Sequence, residues 1–190
     1  MDTNVLSELR RKQPDGNVVR WLEQRPATTL FLSALTMGEL RKGIELMPEG
    51  ERKRSYLDWL EVELPRFFSG RVLAIDEPVA DCWGRLVAQA GRALPAIDSL
   101  LAATALAHGL TLVTRNERDF QHPGLDVINP GKFEAKSERN YGHRIQQHQT
   151  RLAGSHYPCQ GRLTGRAGAS PTQDRRGGDG PSWPAPGAGA

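Results

Sequence analysis

PAIDSLLAATALAHGLTLVTRNERDF, residues 95–120, is the stretch whose reading decides the fold. Residues 97–108 are rich in Leu and Ala, which cost little side-chain freedom in a helix, and Gly109 follows as a stop. Residues 110–113, LTLV, are short and apolar, as a buried strand is, and residues 114–119 form a polar turn. The segment is therefore a helix feeding a buried strand whose carboxyl end opens into a loop. Asp98 falls in the first helical turn, where the helix dipole and free amides favour negative charge. Asp119 falls beyond the strand end.

Working outward, the same alternation recurs. TLFLSAL, residues 29–35, follows the turn-prone Pro26 and reads as a buried strand. Thr36, Leu40, Ile44 and Met47 then recur at helical spacing and leave Glu39 in the first turns, off the buried face. A second helix is expected over residues 51–64, with Tyr56, Leu57, Leu60 and Leu64 inward and Pro65 ending it. RVLAI, residues 71–75, is another strand, and residues 78–91 are an amphipathic helix through Val79, Trp83, Leu86, Val87 and Ala90, stopped by Gly91. Residues 125–128 make a last edge strand.

At the start of the chain, Thr3 or Asn4 caps a helix through Val5, Leu6 and Leu9, with Asp2 just ahead of it. An acid in that position closes a central strand, yet Met1 alone precedes it, so the first strand is expected to be truncated. Strand and helix in alternation give an α/β fold with a parallel sheet. In such sheets ligands bind outside the carboxyl ends of the strands, where Asp2 and Asp119 fall.

The charge is unevenly spread. Residues 1–130 hold 16 Lys and Arg against 18 Asp and Glu, while residues 131–190 hold 9 against 4. The overall net charge of +3 therefore belongs to the last third and does not mark a nucleic-acid-binding face on the domain. Residues 131–190 are rich in Gly, Pro and Arg with almost no apolar periodicity, so the expected division is a domain over 1–130 and a disordered basic tail over 131–190. The abrupt change of composition is what a shifted reading frame or a misplaced stop produces. Cys82 and Cys159 give no disulfide framework and no zinc spacing. No apolar run reaches a membrane span, and MDTNVLSELRRK is no signal peptide, so a soluble cytoplasmic protein is expected.

Taken singly, Asp2 is a helix cap, Asp98 a favourable first-turn charge, and Glu39 a solvated helix face. Four acids at the edges of four separate elements, Asp2, Glu39, Asp98 and Asp119, point instead to a metal site assembled by folding. Like charges brought together raise one another's pKa, and a hard divalent cation removes that penalty. Oxygen ligands suit Mg²⁺ first and Mn²⁺ as its alternative, since zinc favours the His or Cys absent beside these positions. An ion held among such acids polarises a phosphoryl oxygen and lowers the pKa of a bound water. Thr3, Asn4, Ser33, Thr36, Thr114 and Asn116 are candidates to hold the carboxylates or meet phosphate, and Arg115 and Arg118 to meet a phosphate backbone at the rim.

DTNVLSEL, SALTMGELRKGIE, RVLAIDEPVAD, PAIDSLLAATALAHGLTLVTRNERDF and a closing VINP resemble, in that order and spacing, PIN-domain ribonucleases of the VapC and FitB toxin type over residues 2–130. The resemblance implies an α/β/α sandwich around a parallel sheet, Mg²⁺-dependent cleavage of an RNA substrate, and neutralisation by a cognate antitoxin. It also implies a homodimer, with DNA met only through the antitoxin. Carried over by position, Asp2, Glu39, Asp98 and Asp119 are the four acids, Asp2 and Asp98 binding the metal that activates water for in-line attack on the phosphodiester, with Asn116 competing with Asp119 for the last place. Trp21, Leu57 and Trp59 are candidates for a dimer or antitoxin surface. The alternative reading is a catalytically inactive interaction module that binds an antitoxin and cleaves nothing; a receiver-like domain lacks the lysine it would need near the last strand.

Overall fold

The computed structural model describes residues 1–133. Its strands are shorter than the apolar runs that contain them. TLFLSAL contributes only β1 (Leu32–Ser33), because the Ser33 hydroxyl accepts from the Leu35 amide at 3.2 Å and starts helix α3 (Ala34–Glu45) there. RVLAI contributes β2 (Val72–Leu73), and the last two strands are β3 (Leu112–Val113) and β4 (Val127–Ile128). β1 pairs with β2 in parallel, Leu32 opposite Val72, and β3 with β4 in parallel, Leu112 opposite Val127.

The expected single parallel sheet is therefore two two-stranded sheets, and the start of the chain lies between them. The Met1 ammonium donates to the Phe31 carbonyl next to β1 at 2.9 Å, and the Asp2 amide donates to the Val113 carbonyl of β3 at 2.9 Å. The Thr36 hydroxyl from α3 donates to the Met1 carbonyl at 3.0 Å. Met1 and Asp2 thus bridge the two sheets, one reaching the residue before β1 and the other the end of β3.

Side chains alternate across a strand, and here the alternation separates two cores. Val113 and Ile128 pack into one core with Leu6, Leu22, Leu32, Trp59, Leu64 and Phe68. Leu112 and Val127 pack into the other with Val79, Cys82, Leu86, Leu101 and Phe120. The second core is made largely by helices α6 (Glu77–Ala90) and α7 (Ala96–Ala107), the most extensively packed pair in the fold. Helices on both faces of a parallel strand pair are the layering expected of the alternating sequence.

Local departures have local causes. The expected helix through Leu9 is one turn, α1 (Thr3–Leu6), followed by a 3-10 turn over Ser7–Arg10. An additional helix, α2 (Gly16–Glu23), begins where the Asp15 carboxylate accepts from the Asn17 amide at 2.9 Å. Pro65 does not end its helix: α4 (Glu51–Asp58) widens into a π-turn over Trp59–Glu63 and continues as α5 (Leu64–Phe67). Proline lacks the amide that an α-turn would need, and the wider turn just before it absorbs that loss. At α6 the expected stop holds, Gly91 closing the helix at φ 61°, and at its start the Asp76 carboxylate accepts from the Val79 amide at 3.1 Å.

Trp21 and Trp59 are buried in the first core, so neither is a docking surface. The packed chain also runs past the expected boundary at 130: Pro130–Lys132 form a 3-10 turn, and Phe133, 4% exposed, packs in the first core. Residues 134–190, and with them most of the expected tail, lie outside the described residues. Among the described residues no helix is long and apolar enough to cross a membrane.

Two measurements check this account. Phe133→Ala is expected to lower the unfolding free energy by about 3–5 kcal/mol in urea denaturation, as for a buried aromatic; a flexible tail residue would change nothing. The Met1 ammonium is fully buried, and burial pushes its pKa down to about 6 despite the nearby Asp2 carboxylate. Between about pH 6 and the ordinary value of 8.0 the unfolded chain binds the extra proton, so stability should rise with pH across that window. The rise should be on the order of 2 kcal/mol and disappear when the amine is acetylated.

Candidate metal centre

Asp2 occupies the residue before α1, yet its side chain makes no capping bond. The carboxylate is turned toward the end of β3, where Oδ2 accepts from the Thr114 hydroxyl at 2.6 Å and from the Asn4 side-chain amide at 2.5 Å. Asn4 also donates to Thr114 Oγ1 at 3.0 Å, closing a triangle of Asp2, Asn4 and Thr114. Asp2 is 8% exposed and Thr114 is fully buried, so this carboxylate is held in a nearly dry setting.

Glu39 lies in the middle of α3 and is half-buried; its Oε2 accepts from the Thr3 hydroxyl at 2.7 Å. Consecutive residues at the chain start thus serve two acids, Thr3 holding Glu39 and Asn4 holding Asp2. Asp98 stands in the first turn of α7, half-buried, and Asp119 stands exposed in a 3-10 turn over Glu117–Phe120. Asn116 and Asp119, rivals for the fourth place, are bonded to each other through the Asn116 side-chain amide.

The electrostatics of Asp98 tie these positions together. Its pKa is raised above the ordinary carboxylate value, first by burial and then by the charges of Asp2, Asp119 and Glu39. Those are the three other acids singled out by sequence. They are near enough to oppose the ionisation of Asp98, although no three His, Cys, Asp or Glu among the described residues are arranged to hold one ion together. Mg²⁺ commonly takes one or two carboxylates and keeps several waters, so an all-oxygen pair such as Asp2 and Asp98 fits it without a preformed cage. Zinc has no His or Cys in this set.

Several supporting roles differ from expectation. Ser33 caps α3, and Thr36 anchors the Met1 carbonyl, so neither touches a carboxylate. The Arg115 side chain is turned inward to Glu8 and Asp15, away from any role at a substrate rim, whereas Arg118 is exposed. Glu8, 2% exposed, was not anticipated at all. An acid beside two arginines and a lysine in SELRRK reads as surface, and only contact with residue 115 reveals it.

The PIN domain family model matches residues 1–124. The chain belongs to the PIN-domain family. It is 41% identical over 133 residues to VapC ribonuclease Y4jK of Sinorhizobium fredii, covering 68% of this chain and 95% of that one. Toxin FitB of Neisseria gonorrhoeae is 39% identical over 133 residues, covering 68% and 96%. Among solved structures, a chain in the structure of FitAB bound to an IR36 DNA fragment superposes with a TM-score of 0.65 at 36% identity, covering 70% of this PIN-domain protein and 95% of that chain.

Burial and three like charges raise the Asp98 pKa, so the protonated form is favoured in the fold. Metal-free stability should therefore fall as pH rises from the ordinary carboxylate range through the raised value. Asp98→Asn is expected to raise the metal-free melting temperature at pH 7 and to abolish the stabilisation that added Mg²⁺ or Mn²⁺ gives the parent protein. Differential scanning calorimetry with and without the ion reads both effects.

Proposed function

We propose that this PIN-domain protein is a metal-dependent endoribonuclease, the toxin of a toxin–antitoxin pair, working in the cytoplasm with Mg²⁺ as its ion and Mn²⁺ as a substitute. The observation that carries the reading is the setting of Asp98: burial first, and then the charges of Asp2, Asp119 and Glu39, oppose its ionisation, an arrangement that is costly unless a cation joins it. Similarity to a VapC ribonuclease and to toxin FitB along nearly their whole length supports the same reading.

In this reading Asp2 and Asp98 hold the ion. When bound, Mg²⁺ neutralises charge on the scissile phosphate and acidifies water for in-line attack. Glu39, steadied by Thr3, or Asp119, steadied by Asn116, orients the attacking water and accepts its proton, or completes a second metal site when the substrate phosphate arrives. Asp119 is exposed and can approach a substrate phosphate with little rearrangement of the core. The solved FitAB assembly on DNA contains a similar chain, which supports a cognate antitoxin as partner here, with DNA met through that antitoxin; a homodimeric toxin completes the proposal.

Purified full-length protein should cleave members of a defined RNA panel in Mg²⁺ and none in chelator. Asp98→Ala should lower the rate by about 10²-fold or more, as loss of a group stabilising transition-state charge does. Full activity in the variant or in chelator overturns the mechanism. Antitoxin binding without cleavage under every metal condition would identify an inactive interaction module instead.

A further inference from the structure

Arg115, first residue of the loop after β3 and its Thr114, has both backbone polar groups and its side chain engaged. Its amide donates to Asn4 Oδ1 at 3.0 Å, and its carbonyl accepts from the Asn129 side-chain amide at 3.3 Å. Its guanidinium pairs with Glu8 Oε2 and lies 3.5 Å from Asp15 Oδ2. Glu8 is 2% exposed, and its carboxylate also accepts from the Asp15 amide at 3.0 Å and meets Arg11 at 3.1 Å. The turn after β4 lies against the assembly: a Cβ on Gly131 would stand 3.2 Å from Asn129 Oδ1 and 3.7 Å from Arg115 Nε.

These contacts act on Asp2 through one residue. With Asn4 Oδ1 engaged by the Arg115 amide, the Asn4 side chain has a single orientation, and its Nδ2 must point at Asp2 Oδ2 and Thr114. Asp2 Oδ2 then carries two donors, Asn4 and Thr114, and Oδ1 is the oxygen left to face an ion. Glu8 belongs to the turn just after α1, so its pair with Arg115 ties the segment bearing Asp2 to the loop leading to Asp119.

We propose that Arg115 and Glu8 are positioning residues of the metal centre, a clasp that sets the Asn4 amide and through it the oxygen that Asp2 presents to the ion. This rests on the nuclease reading above. Groups bonded directly to a ligand, as Asn4 is to Asp2, typically alter metal affinity strongly, and groups that set such a partner alter it to a smaller degree, while a pair serving only the fold alters stability alone.

The test is Mn²⁺ titration of the full chain, followed by electron paramagnetic resonance of the free ion, at a temperature where circular dichroism shows each variant folded. Arg115→Gln and Glu8→Gln should each weaken Mn²⁺ binding by about 3- to 10-fold, less than the roughly 10- to 100-fold expected on losing a group bonded directly to a ligand. Arg115→Lys should recover part of the loss, since its charge still reaches Glu8. Arg85→Gln, which breaks the exposed pair with Asp81, is the control and should bind as the parent does. With RNA, kcat should fall in Arg115→Gln while KM stays within about two-fold.

Folded Arg115→Gln and Glu8→Gln with parental Mn²⁺ affinity would overturn the clasp and leave the nuclease reading standing. If Arg115→Gln does not fold, Glu8→Gln, similar in shape and still able to accept from the Asp15 amide, decides alone. A parent protein that takes up no Mn²⁺ overturns both the clasp and the reading beneath it.

Discussion

Asp2 makes the contact on which the rest of the structure depends. Its amide joins β3, the residue before it bonds Phe31 just ahead of β1, and its carboxylate meets Thr114 at the strand end. The same residue is thus the seam between two short sheets and a member of the acid cluster. Buried polar groups need partners to offset their loss of water, and here each partner comes from a different part of the chain. Anything that displaces the chain start therefore disturbs both fold and site.

From that seam the two layers follow. Consecutive residues of β3 face opposite cores, so helix pair α6 and α7 covers one side while α1, α3 and the kinked helix through Trp59 cover the other. Asp98 arrives on α7 from the second side, and Glu39 on α3 from the first. Their meeting near Asp2 comes from layering, and it carries an energetic penalty that shows at Asp98. A site arranged this way is unfavourable for its own ionisation and correspondingly receptive to a cation.

The supporting polar groups distribute that strain. Thr3, Asn4, Thr114 and Asn116 each bond one of the acids or its neighbour, and the buried Glu8 with Arg115 links the segments that bear them. A buried carboxylate without its arginine would be severely destabilised, so this pair keeps two loops in register. The site is therefore supported by side-chain polar contacts more than by strand length, which suits a sheet with only two residues per strand.

Much of this was legible in the order of residues. Helix and strand alternation, the stop at Gly91 and the choice of Asp2, Glu39, Asp98 and Asp119 as candidate acids all follow from local periodicity and the chemistry of single residues. The family likeness was carried by motifs in fixed order. Tertiary structure decided what local signals do not encode: that the sheet parts around Met1 and Asp2, that Pro65 is passed through a π-turn, and that Trp21 and Trp59 are core. It also turned Arg115 inward to Glu8 and drew Phe133 into the fold. The physical reason is the same in each case, since backbone propensity acts between near neighbours, whereas the burial of a ring or a charge depends on partners distant in the chain.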